Sequence, residues 1–311
     1  MERMEAELYH SFIIQQEDHG MRLDKVIPKK FPLYSRSYIQ RLIQHGHIRV
    51  NDKVTLKSAI LQTGDLITIS IPSPTPLGTK PIPQDIVVEI IYTHKDFLII
   101  NKPAGLLVHA TNKESETFTL VDWLIQTFPT LTHIGTLERP GIVHRLDQYT
   151  SGLMIIPCTQ EAYTLFGNLF QQREIKKTYL AVVQGHPDRE GMIDLPIARN
   201  PIHRNKMTHK DPTGRAAITY YHVVEYFADA NATLLELTPI TGRTHQIRVH
   251  CAAIGHPIIG DTVYGQPSKL IPRQALHAYK LSFVFKNEEY VFQAEPPNNF
   301  LQLVFSLKKT N

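Results

Sequence analysis

Apolar residues along this 311-residue chain fall in short runs punctuated by Gly, Pro, Asn and Asp. Runs of that kind read as strands. They are predicted at 12–14, 48–50, 66–71, 87–92, 97–101, 105–109, 142–143, 153–156, 176–183 and 234–237, with more strands around a basic loop inside 192–226. Helical spacing is rarer. One helix opens at Arg22 and ends at Phe31-Pro32, because a residue before proline is pushed out of helical geometry. A second, capped by Ser35 or Ser37, carries Tyr38, Ile39, Leu42 and Ile43 and exits at Gly46. A third holds Leu120, Trp123 and Leu124. A fourth, capped by Thr159, carries the stripe Ala162, Leu165, Phe166, Leu169 and Phe170. In the last, Thr244 is the expected N-cap and Ile247, Cys251 and Ile254 the buried stripe, with Gly255 as the exit. Arg248 lies beside that stripe, within reach of a partly buried anion. Many strands with few, irregularly placed helices predict an α+β fold with a mixed, largely antiparallel sheet.

Length changes the picture first. A single core stops growing near ~250–300 residues, so a large domain with a small companion is expected. Five prolines between Pro72 and Pro83 form a semi-rigid spacer. The expected division is an N-terminal segment 1–17, a small domain 18–72, a Pro-rich linker 73–85 and a large domain 86–311. The net charge is only +4, but it is unevenly spread. From Arg22 to Lys80 ten Lys and Arg residues face only Asp24, Asp52 and Asp65, which suits a phosphate backbone as partner or a solvated basic face. The two cysteines, Cys158 and Cys251, offer neither a disulfide framework nor a zinc spacing, and a reducing cytoplasm is expected. The charged start of the chain has no apolar core of a signal peptide. No apolar run approaches ~18 residues, so no membrane partner is expected.

The candidate chemistry sits in 140–157, where a polar centre with His144, Arg145, Asp147, Thr150 and Ser151 lies between two apolar runs. Loops held by a rigid scaffold are favoured places for chemistry, although Asp and Ser-Gly are also ordinary turn formers. Two further segments offer Tyr179, and Arg243 with Arg248. No Walker loop, dinucleotide fingerprint or Cys/His metal set is present, and His245 and His250 are badly spaced for one metal. A lone carboxylate beside arginines suits nucleophilic catalysis or charge stabilisation; either Arg243 or Arg248 is available to pair with it.

The small domain resembles the S4 type of RNA-binding domain in Arg-Leu-Asp-Lys at 22–25, Ser-Arg-Ser at 35–37, Ile-Arg-Val-Asn at 48–51 and Gly-Asp-Leu-Ile-Thr-Ile at 64–69. The resemblance implies RNA contacts through Arg36, Arg41, Arg49 and Lys53. The large domain is similar to the RluA-like pseudouridine synthases. The matches are Asn-Lys-Pro-Ala-Gly-Leu at 101–106, His-Arg-Leu-Asp and Thr-Ser-Gly-Leu within 144–153, Lys-Lys-Thr-Tyr-Leu-Ala-Val-Val at 176–183, and Gly-Arg-Thr-His-Gln-Ile-Arg-Val-His at 242–250. Gly-His-Pro-Ile-Ile-Gly-Asp at 255–261 and Tyr264-Gly265 extend the last. Gln148-Tyr149 departs from the charged residues usual there.

This resemblance implies that Asp147 is the nucleophile, at the uracil ring or at the sugar, on a uridine flipped from its stack. Arg145 would fill the vacated space, Tyr179 would stack on the uracil, and Arg248 would pair with Asp147. His144, Arg243 and His245 would join the RNA contacts. No cofactor or metal is implied. The expected partner is 23S ribosomal RNA, with transfer RNA as the alternative, and the expected state is a monomer. Two other classes compete. A non-catalytic RNA-binding assembly factor would need none of Asp147, Tyr179 and Arg248. A hydrolase would need a second acid or base to activate water, and none is evident.

Overall fold

The computed structural model describes residues 8–31, 34, 36–71, 80–110, 116–136, 139–203 and 205–309. The Ser35 cap, the Ser37 side chain, Pro72 and residues 73–79 of the expected linker lie outside them. In chain order the elements are β1 (Leu8–Ile13), α1 (Leu23–Lys30), α2 (Arg36–Gln44), β2 (Ile48–Val50), β3 (Lys53–Val54), β4 (Leu66–Ile71), β5 (Glu89–Thr93), β6 (Phe97–Lys102) and α3 (Leu120–Thr127). Next come the short β7 (Gly135–Thr136) and β8 (Arg139–Pro140), then β9 (Ser151–Pro157), α4 (Gln160–Gln172), β10 (Lys176–Gln184) and β11 (Glu190–Asp194). The chain closes with β12 (Ala198–Arg199), β13 (Met207–Thr208), β14 (Ile218–Phe227), β15 (Ala232–Pro239), α5 (Gln246–Ala253), β16 (Leu276–Phe285), β17 (Glu288–Gln293) and α6 (Asn298–Lys309).

These elements form two compact units. The first takes the described residues of Met1–Pro81, Thr111–Glu116 and Val121–Gly141. Its antiparallel sheet runs β1-β4-β2-β3, and Val26, Ile27, Ile39, Ile43, Ile48 and Ile67 bury α1 and α2 against it. Asp24 is 0% exposed and accepts from Arg22 Nε at 2.9 Å, Arg36 Nη2 at 2.9 Å and Gln40 Nε2 at 3.0 Å. The Arg22 hydrogen bond is the largest influence holding its carboxyl well below the usual carboxylate range.

The second unit, Ile82–Ala110, Thr117–Leu120 and Ile142–Asn311, carries a nine-stranded sheet in the order β11-β14-β15-β10-β16-β9-β6-β5, with β17 added to β16. Every pairing in it is antiparallel except β9 with β16, which run parallel over Ser151–His277 and Gly152–Ala278. The α+β expectation holds. Along β9 every residue is buried, which is why 153–156 reads as a continuous apolar run rather than an alternation. Gly152 has φ +120, and a Cβ there would meet the Ala278 amide nitrogen at 2.6 Å. Only glycine lets these two backbones approach.

Two expected strands do not form. Residues 105–109 make only the isolated bridge Leu107–Thr119. Their backbone groups are diverted: the Gly105 amide donates to Gln148 O at 2.9 Å and Leu106 O accepts from Lys102 Nζ. Residues 142–143 are irregular too. After Gly152, β9 has no ladder partner on the side away from β6, and the His144 side chain stands in for one. Its Nε2 accepts the Ile155 amide at 2.8 Å, and its ring stacks on Phe170 with centroids 4.5 Å apart. A side chain, not a strand, satisfies that donor.

Candidate active site

The polar stretch of 144–151 folds into a turn, with the Thr150 amide donating to Asp147 O at 3.0 Å. Its backbone is held from both sides. Lys102, 0% exposed, donates to Pro103 O at 2.7 Å, Leu106 O at 2.9 Å and Gln148 O at 3.0 Å. Three acceptors match the three protons of an ammonium, while burial pushes the Lys102 pKa down to about 7. On the opposite side Arg273 Nη1 donates to Tyr149 O at 3.2 Å, Gln274 O at 3.0 Å and Leu276 O at 3.2 Å. Burial lowers the Arg273 pKa to about 10. Gln148 closes the seam by donating its side-chain amide to Gly105 O at 3.1 Å. Tyr149 stays half exposed.

This clamped turn presents Asp147 to helix α5. Arg248 Nη1 donates to Asp147 Oδ2 at 3.0 Å, while its Nε and Nη2 bind Asp261 at 2.7 and 2.9 Å. Arg248 is therefore the arginine that pairs with Asp147. Arg243 instead donates its Nε to Ala216 O at 3.2 Å. Asp261 is 1% exposed and also accepts the amides of Val263 and Tyr264. Burial works against both charges of this pair, but the fork-shaped hydrogen bonds outweigh it: the Asp261 pKa is lowered and that of Arg248 raised. The Arg248 guanidinium also lies 5.2 Å from the Tyr264 ring centroid.

The start of α5 differs from expectation. Its N-cap is His245, in the left-handed region at φ 56, and no side-chain cap forms. Gln246 fills the gap: buried, it accepts from Thr241 Oγ1 at 2.7 Å and the Arg243 amide at 3.0 Å, and donates to Ile218 O and Thr219 Oγ1. The left-handed turn brings His245 Nε2 to 3.9 Å from Asp147 Oδ1. His245 Nδ1 lies 2.8 Å from the Tyr264 hydroxyl, whose oxygen already accepts the Met207 amide at 2.7 Å. Burial lowers the His245 pKa, with Asp147 opposing it.

Tyr179 enters from β10, whose pairing with β16 shifts register between Thr178 and Tyr179. Burial, with Asp147 adding to it, raises its pKa. Together Asp147, Tyr179, Arg145, Arg243, His245 and Arg248 line one open cleft, whose empty space of about 630 Å³ runs out into solvent. Arg145 is exposed at its rim, its Nη1 3.4 Å from His109 Nε2.

His144 is the candidate the cleft leaves out. Burial pushes its pKa down to about 3 and its ring is committed to Ile155 and Phe170. In the first unit, Arg36 is tied to Asp24 and Arg41 lies over the Tyr38 ring at 5.6 Å. Arg49 donates to Gly46 O at 3.3 Å, and Lys53 is exposed. Sequence reasoning did not single out Asp261, Lys102, Tyr264 or Arg273 as site residues. Asp261, Lys102 and Tyr264 lie inside the quoted motifs, but nothing in the linear order says that they converge on Asp147. No group of three His, Cys, Asp or Glu residues among the described residues is arranged to hold a metal.

Comparison with known proteins gives concordant matches. Residues 96–253 match the RNA pseudouridylate synthase family model and residues 21–67 the S4 domain model. An uncharacterized RNA pseudouridine synthase of Aquifex aeolicus is 39% identical over 91% of this chain and 93% of its own length. Ribosomal large subunit pseudouridine synthase D of Zymomonas mobilis is 34% identical over 94% and 96%. Among solved structures, human RNA pseudouridylate synthase domain containing 1 superposes with a TM-score of 0.56 and 28% identity, covering 70% of this chain and 86% of that one.

Proposed function

The chain belongs to the RNA pseudouridine synthase family, and from that premise we propose that it isomerises uridines of large-subunit (23S) ribosomal RNA with Asp147 as the nucleophile. The observation that carries the proposal is the pairing of Asp147 with Arg248, itself locked by Asp261, at a cleft that Tyr179 also lines. In this reading the target nucleotide leaves its stack, at a cost of a few kcal/mol, and Arg145 at the rim fills the vacancy. The uracil lies against Tyr179. Asp147 attacks the uracil ring or the sugar, the N1–C1′ bond breaks, the base turns, and C5 bonds to C1′. The C5 proton leaves and N1 gains one, so the product is an isomer and no redox equivalent is consumed.

Arg248 holds the Asp147 carboxylate in place and balances its charge. His245, on the other carboxylate oxygen, restricts its rotation. Arg36, Arg41, Arg49 and Lys53 are proposed to contact RNA backbone, which positions the enzyme without choosing the sequence. The ribosomal target is supported by the name of the Zymomonas relative, a ribosomal large subunit pseudouridine synthase. We place the enzyme in the cytoplasm as a monomer.

The test compares wild type with Asp147→Asn on large-subunit ribosomal RNA carrying tritium at uracil C5. Wild type is expected to release the label, because C5 becomes the attachment point, and the variant to release none. Equal release by both proteins would remove Asp147 from the role of nucleophile. Label released from transfer RNA alone would move the target.

A further inference from the structure

The cleft is more cationic than the chemistry at Asp147 requires. Its lining carries Arg145, Lys177, Arg243 and Arg248 against the single carboxylate of Asp147. Arg248 has its charge met by Asp147 and Asp261. Lys177 does not. It lies two residues before Tyr179 on β10, lines the same cleft, and is half-buried, with Nζ 6.0 Å from the Phe170 ring centroid. Burial lowers its pKa. Among the described residues neither Lys177 nor Arg243 has a carboxylate within ion-pair distance.

Arg243 is fixed along one edge by the Ala216 carbonyl, and the charges of Arg215 and Arg173 act on it unfavourably. Arg173 is itself unusual. It occupies the left-handed position after α4 at φ 66, where glycine is favoured. A partly desolvated ammonium without a counter-ion is costly until an anion arrives. Uracil is neutral and brings none; the phosphodiester of the nucleotide that enters the cleft does.

Resting on the function proposed above, we propose that Lys177 and Arg243 form an anion site for the phosphate attached to the target uridine, on the cleft wall beside Tyr179. Lys177 supplies a point charge and Arg243 a planar fork, a pairing suited to a tetrahedral oxyanion. The site holds the flipped nucleotide by its backbone while the base is free to turn, which a stacking contact alone does not allow. It discriminates a nucleotide from a free nucleoside and makes no base contact.

Equilibrium dialysis of the full chain against uridine, uridine 3′-monophosphate and uridine 5′-monophosphate tests this directly. At least one monophosphate is expected to bind about tenfold or more tighter than uridine. Lys177→Met and Arg243→Gln are each expected to remove most of that advantage, Lys177→Arg to restore it, and Lys176→Met, one residue away but outside the cleft lining, to leave it intact. Uridine binding as well as both monophosphates, or Lys176→Met losing as much as Lys177→Met, would overturn the site. Tritium release by wild type, measured alongside, separates the two ideas. Release without a phosphate preference sinks the anion site and leaves the activity. A phosphate preference without release keeps the site and sinks the activity.

Discussion

Asp261→Asn is the substitution whose consequences the geometry fixes most closely. Of the three hydrogen bonds from Arg248 to carboxylates, Asp261 takes two, at 2.7 and 2.9 Å. Its Oδ1 also accepts the Val263 and Tyr264 amides, so an asparagine keeps its oxygen there and turns its amide toward Arg248 Nε. Two donors then face each other where the ion pair had been. Removing one partner of a buried pair costs roughly 3–5 kcal/mol. For a domain of this size that lowers Tm by about 2–4 °C per kcal/mol, or roughly 6–20 °C. Arg248 is left with Asp147 alone and shifts toward it, and a misplacement of ~1 Å at such a site slows the reaction by about 10²-fold.

Thermal unfolding and single-turnover tritium release, the latter below the variant's transition, give the two numbers separately. The double variant Asp147→Asn/Asp261→Asn should be less stable than the sum of the singles, because it alone leaves Arg248 buried with no carboxylate. A variant Asp261→Asn with unchanged Tm and a rate within about threefold of wild type would refute the claim that Asp261 positions Arg248.

Other predictions follow from single contacts. His277 is 0% exposed, lies 2.9 Å from Ser151 Oγ, and donates from Nε2 to Ala294 O at 2.8 Å; burial pushes its pKa down to about 4. The unfolded state, titrating near 6.5, then binds more protons between pH 6.5 and 4, so stability falls as pH drops through that window, by about 3 kcal/mol in total. Urea titrations at pH 7 and pH 4.5 check this, and His277→Gln should flatten the slope. Gly152→Ala combines a forbidden φ with a collision against Ala278, so a loss of roughly 2–6 kcal/mol is expected; soluble protein of wild-type Tm would contradict it. Tyr179→Phe should keep most activity if the ring is what matters, whereas Tyr179→Ala should lose roughly 1–3 kcal/mol of base stacking, read as weaker RNA-dependent turnover. Arg49→Gln should weaken RNA binding and reduce the salt slope by about one, and an unchanged slope would remove Arg49 from the interface.

The α+β class was legible because the runs 97–100 of β6 and 153–156 of β9 are buried along their whole length and apolar at every position, and because the stripe of α4 repeats at helical spacing under its Thr159 cap. These are local signals: a period, a cap, a breaker. The identity of Asp147, Tyr179 and Arg248 as candidates was legible as well, since each stands in an ordered motif. Their convergence was not. Asp147 and Arg248 are 101 positions apart, and no period links them.

The strand misread at 105–109 fails for a related reason. Its backbone groups are claimed by Lys102 Nζ, by the Gln148 carbonyl and by the Leu120 amide, so a local apolar pattern lost to other partners. His144 reads as an RNA contact from its neighbours in the motif, but the end of the β9–β16 ladder leaves the Ile155 donor open and the imidazole fills it. A lysine at 102 looks like a surface charge in sequence; only the fold puts three carbonyls around its ammonium. The sequence alone determined which chemical groups were present and most of the segments that are strand or helix. The tertiary structure decided which charges meet, because burial and the direction of a hydrogen bond are properties of a neighbourhood that the linear order does not contain.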